Sequence, residues 1–173
     1  RLRAVSPPAY LADGATMPAS WVNEDATTLD ELLSLTPAAP ALLAYRERVW
    51  SDPAGDPLLL ELCRLRMAQL LGLDAAALAR HPAALRAGLD DARVADLPRW
   101  PTSPLFAARE RAALAFAEQW LLDPGAMRDE ECAALRAAIG ETGCAAFTMG
   151  LALVEATLRL ELALGLTRAP ARG

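Results

Sequence analysis

The sequence predicts an all-α protein, and three observations carry the prediction. Of its 173 residues, 54% are hydrophobic but only 5% aromatic, and Ala and Leu, the strongest helix formers, supply most of the rest. No Val- or Ile-rich alternating run marks a strand. Helix start and stop signals recur along the chain, enough for about seven to eight helices. At this length one compact domain buries roughly 70% of the unfolded surface.

The elements follow in order. Residues 1–27 are rich in Pro, Gly, Ala and Ser without periodicity, with Tyr10, Met17 and Trp21 as isolated large groups, and read as an irregular arm. Thr28-Leu29-Asp30-Glu31 fits a capping box, opening a first helix that stops before Pro37. A second helix spans residues 38–50, and the SDPAGDP segment from Ser51 to Pro57 breaks it. Asp56 as cap and Pro57 at the first helical position open a third, closed by Gly72 after Leu71. Asp74 is the expected cap of a fourth. Pro82 falls inside that span, removes a backbone donor and biases His81 away from helical dihedrals, so a kink or restart is expected there. A short helix near 90–96 leads into the LPRWPT loop. Ser103-Pro104 is expected to start a long helix through Leu122, residues 128–139 form another ended by Gly140, and residues 142–164 form the last. Residues 28–166 make the domain and 167–173 a tail.

On the last helix Cys144, Phe147, Leu151, Val154 and Leu158 share one seam, while Leu153, Leu160 and Leu164 lie on other sides. A helix apolar on more than one face is buried centrally or covered by another subunit. Glu155 and Arg159, four apart, are expected to form a surface ion pair.

The net charge of −5 and pI near 4.9 argue against a nucleic-acid partner, which requires clustered Lys or Arg. The run with few charges, Thr142 to Val154, is shorter than a membrane span, so no membrane is expected. The N-terminal residues lack the apolar core of a secretory signal. Three widely spaced cysteines suit reduced thiols and a cytoplasmic location.

Within this frame, Pro57-x-x-x-Glu61-x-x-x-Leu65-Arg66-x-x-Gln69-Leu70-x-Gly72, then Leu97-Pro98-x-Trp100, Ser103-Pro104-Leu105-Phe106 and Arg109-Glu110-Arg111-Ala112-Ala113-Leu114-Ala115, resemble the alkylhydroperoxidase D-like (AhpD-like) and carboxymuconolactone decarboxylase superfamily across about residues 28–166. The resemblance implies an AhpD-like helical bundle that assembles as a homo-oligomer, a dimer, trimer or hexamer. In its redox members a glutamate twelve residues before the first cysteine begins a relay to Cys-x-x-Cys-x-x-x-His. Glu61 matches that glutamate. The cysteine positions hold Leu73 and Ala76, and the histidine position holds Arg80, with His81 one residue late and about 100° around a helix. Peroxide reduction by that route needs a thiolate and a resolving thiol, which Leu and Ala do not supply.

Cys63, about 200° around the helix from Glu61, reads as a buried structural thiol, and Cys132 and Cys144 are read the same way. With one histidine and no cysteine cluster, neither a metal nor another cofactor is expected. Glu130-Glu131, Glu155 and Glu161 are read as solvated or ion-paired.

Two functions stay open. In the first, the chain is a non-redox lyase-, isomerase- or cyclase-type enzyme acting on a small organic acid or lactone. Glu61 is then the general acid or base, since desolvation favours the neutral carboxyl. Arg80 orients a carboxylate, His81 shuttles a proton, and Gln69, Leu73 and Ala76 line the ligand site. In the second, the chain is an inactive oligomeric binding or structural module, with Glu61 paired to Arg64 or Arg66 and His81 and Arg80 at the surface.

Overall fold

A computed structural model describes residues 22–23, 25–73 and 80–166, and every regular element among them is helical. Among the described residues there are seven α-helices: α1 (Leu29–Leu33), α2 (Ala39–Trp50), α3 (Pro57–Leu71), α4 (Pro82–Arg86), α5 (Asp91–Asp96), α6 (Ala108–Leu122) and α7 (Asp129–Leu164). Single 3-10 turns follow α5 and α6. The expected Asp74 cap, Ala76, the arm through residue 21 and the tail from residue 167 lie outside the described residues.

The caps form as their side chains dictate. Thr28 accepts the Glu31 amide and Glu31 accepts the Thr28 amide, the reciprocal box expected for α1. Asp56 accepts the Leu59 amide at the start of α3, and Gly72 closes that helix at φ 73°, a left-handed turn that a side chain would strain. His81 is extended (φ −71°, ψ 132°), and a helix begins at Pro82.

The core is a layer of α3, α6 and α7. Leu62, Cys63, Leu65, Met67 and Ala68 are fully buried, so α3 is covered on almost every side. From α6 come Ala113, Leu114 and Ala117, and from α7 Phe147, Leu151, Val154 and Leu158, the last four on the expected seam. Gly150 lets α7 approach closely, because a Cβ there would lie 3.0 Å from a Leu60 methyl and 3.2 Å from a Val49 methyl.

Two expectations need correction. The helix expected from Ser103-Pro104 begins instead at Ala108. Ser103 holds a turn by accepting the Leu105 amide, its carbonyl accepts from the Arg111 guanidinium, and the irregular stretch lets Phe106 reach the core. Cys63 is buried as expected, but Cys132 is exposed, on a part of α7 that buries only Leu135. As expected, Gly140 ends one helical stretch: it adopts φ 75°, ψ 173°, and the two helices of α7 meet at this break. Helix α7 also carries a window long and apolar enough, by length and composition, to cross a bilayer, of which 22% is buried within the chain. Met149, Leu160 and Leu162 lie exposed on its outer side.

Candidate functional site

A cavity of about 290 Å³ opens between α2, the turn into α4, and the second half of α7. Arg46, Glu47 and Trp50 enter from α2, Arg64 from α3, and Arg80, His81 and Pro82 from the turn. Leu153, Val154, Thr157, Leu158 and Glu161 enter from α7. One side is thus cationic and donor-rich, and the other is apolar with one carboxyl.

The three arginines of the wall each face a carboxylate. Asp30 of α1 grips Arg46 through two parallel bonds of 2.7 Å, a fork that fixes the guanidinium plane. Arg64 forks onto Glu61 at 2.7 and 2.8 Å. Glu61 Oε1 also accepts the His81 amide at 2.7 Å. Arg80 lies 3.9 Å from Asp91, a carboxylate open to solvent. The His81 ring lies flat on Trp50, with centroids 3.9 Å apart and 10° between planes, and its Nδ1 accepts the Ala83 amide at 3.2 Å. Burial holds this imidazole below its ordinary pKa, against the raising fields of Glu61 and Glu47.

Glu161 is the carboxyl that α7 contributes to the cavity, opposite Glu47 of α2. Burial pushes its pKa above the usual glutamate value, although Arg64 and Arg46 pull the other way. Its neighbours along the chain, Leu160 and Leu162, are exposed, so the helix turns this one polar residue inward.

The expected site residues therefore divide. Arg80 and His81 line the cavity. Glu61 is fully buried beneath Arg64 and braces the wall from behind without lining it. Gln69 accepts from Arg66, whose guanidinium also bonds Glu118, itself an acceptor for the Trp100 indole; this network lies apart from the cavity lining. Leu73 is buried in the core. Glu155 pairs with Arg159 as expected and also accepts the Trp120 indole at 2.7 Å, which ties α7 to α6. Arg46, Trp50 and Glu161 gave too little sequence signal to be placed together; the nearest hint was a single glutamate inside LRLELAL.

Among known proteins, the carboxymuconolactone decarboxylase family model matches residues 37–119. That match takes in just under half of the chain, the part from α2 into α6, so the chain resembles the family there. A crystal structure from Agrobacterium tumefaciens, of a protein of unknown function named for AhpD-type antioxidant defence, superposes with a TM-score of 0.70. The match covers 82% of this chain and 97% of that one at 18% identity, which speaks to the fold. No curated protein matches the chain.

Beside the redox motif it resembles, the chain keeps a buried glutamate, Glu61, and carries Leu73 and Ala76 where the two thiols would stand. Cys63 is fully buried, and burial, reinforced by Glu118 and Asp56, drives its thiol far above the range where a thiolate forms. Cys144 is partly buried and burial raises its thiol as well. Among the described residues no group of three or more His, Cys, Asp or Glu side chains gathers at metal-binding distance.

Proposed function

We propose that this cavity binds a small organic acid or lactone and performs non-redox, lyase- or isomerase-type acid-base chemistry with Glu161 as the proton-transfer group. The observation that carries the proposal is a desolvated carboxyl sharing one small cavity with three arginines. Arginine side chains recognise a carboxylate through paired donors, and Leu153, Val154 and Leu158 offer an apolar bed for the carbon skeleton. At about 290 Å³ the space suits a compact ligand.

The step balances simply. The Glu161 carboxylate takes a proton from the carbon beside an activated carbonyl; the C–H pair moves onto oxygen as an enolate, which the arginine wall stabilises. Returning that proton at another carbon is an isomerisation; in a decarboxylation no C–H bond is broken, the C–CO2 bond pair itself forms the enolate as carbon dioxide leaves, and a protonated Glu161 delivers the proton to carbon. Glu61, expected in this role from its sequence position, instead holds Arg64 and the His81 amide in place.

A second reading, an oligomeric binding module, draws on the exposed apolar side of α7. A homo-oligomer through that side is compatible with either reading. The experiment that separates them incubates the protein in deuterium oxide with short unsaturated and lactone carboxylates and follows deuterium entry beside the carbonyl by NMR. Exchange that Glu161→Gln abolishes, with carboxylate binding retained, supports the enzyme. Binding without exchange in the unaltered protein supports the module, and preferential binding of amines would refute both acid-site readings.

A further inference from the structure

We infer that the fold locks His81 as its Nε2–H tautomer, so that the ring serves the cavity as a fixed neutral hydrogen-bond donor to a ligand oxygen and does not shuttle protons. The inference rests on the small-acid reading for the identity of the acceptor, but not for the tautomer.

The lock follows from the start of α4. Pro82 has no amide, so Ala83 carries the first free N–H of that helix, and it donates to His81 Nδ1 at 3.2 Å. A ring nitrogen whose lone pair accepts a hydrogen bond carries no hydrogen of its own. In the neutral ring the hydrogen therefore sits on Nε2. Turning the ring over by 180° would preserve the stack on Trp50 but set a C–H against the Ala83 amide. The stack and the His81 amide bond to Glu61 leave the ring little other freedom.

Charging the ring would place a second hydrogen on Nδ1, facing the Ala83 N–H, and break the cap. The charged groups around it are mixed: Glu47 from α2, Glu61 and Arg64 from α3, and Arg86 from α4, with Arg46, Arg80 and Glu161 sharing the cavity. Burial outweighs them and disfavours the imidazolium. A neutral donor suits an enolate oxygen, because it stabilises developing charge without giving up its proton, and the acid-base work falls to Glu161.

The chain has a single histidine, so protein carrying ¹⁵N-histidine gives two ring-nitrogen signals with no assignment ambiguity. At pH 8 the expected spectrum shows Nε2 protonated and Nδ1 a hydrogen-bonded acceptor, and acidification gives a titration midpoint below the 6.5 of an ordinary histidine. An Nδ1–H ring, or the tautomer mixture of a free imidazole, overturns the inference. Benzoate then probes the donor role. Its addition is expected to shift the Nε2–H proton, and His81→Asn, which retains a capping oxygen, is expected to weaken benzoate about 5- to 10-fold, the worth of one hydrogen bond. Unchanged affinity in that variant, with the thermal midpoint intact, overturns the donor role. If benzoate fails to bind the unaltered protein while the Nε2–H signal is present, the small-acid reading falls and the donor role with it. If benzoate binds but the tautomer is Nδ1–H, this inference falls alone.

Discussion

Removing Arg64 should be far more damaging than removing an ordinary arginine, because it strands a carboxylate that has no route to water. Glu61 is fully buried and three donors surround it: Arg64 Nε at 2.7 Å, an Arg64 terminal nitrogen at 2.8 Å, and the His81 amide at 2.7 Å. Arg64→Met keeps the length of the side chain and removes two of the three. Breaking a buried pair from one side costs about 3–5 kcal/mol. In a chain of this size that lowers the melting midpoint by roughly 6–20 °C. Glu61→Leu leaves a guanidinium that is partly exposed and able to turn outward, plus one orphaned amide, a loss of about 2 kcal/mol. The double variant keeps only the orphaned amide and should also lose about 2 kcal/mol, well below the sum of the single changes. Urea melts followed by circular dichroism measure all three. If the double variant loses the full sum of the two single changes, the pair is not coupled and the account of Glu61 as the wall's inner brace is wrong.

Two further outcomes follow from other residues. Gly140→Ala meets open space but must hold φ 75° with ψ 173°, a region essentially reserved for glycine, so it should destabilise by about 1–3 kcal/mol; a loss below roughly 0.5 kcal/mol in urea melts would show that the break relaxes freely. Glu161 has a folded pKa above its unfolded 4.5, so its contribution is fully present below pH 4.5 and lost as pH rises through the folded value. Glu161→Gln should therefore gain stability relative to the unaltered chain from pH 4 to pH 8, and thermal melts showing the opposite trend would count against a desolvated carboxyl there.

Elements whose boundaries are set by local chemistry were legible in the sequence. The Thr28 box, the Asp56-Pro57 start, the Gly72 stop and the start at Pro82 each depend on a few adjacent residues. The start of α6 was not, because Ser103-Pro104 satisfies a cap by pattern while Phe106, two residues on, is pulled into the core by contacts distant in the chain. The site shows the same division. Arg80 and His81 were found from their offset to the superfamily's motif. Arg46 and Glu161, separated by more than a hundred residues, meet only after α2 and α7 pack across Gly150. Sequence order also favoured Glu61 over Glu161, since a buried glutamate on a central helix reads alike whether it faces ligand or supports an arginine.

For anyone redesigning the chamber, position 81 is the tightly constrained one. A replacement there must accept the Ala83 amide, leave its own amide to Glu61, tolerate a following proline and still present something useful to the guest molecule. Leu153, by contrast, contributes only apolar surface from the middle of a helix. Exchanging it for larger or smaller aliphatic residues is the way to change which guests fit while leaving the helix start untouched.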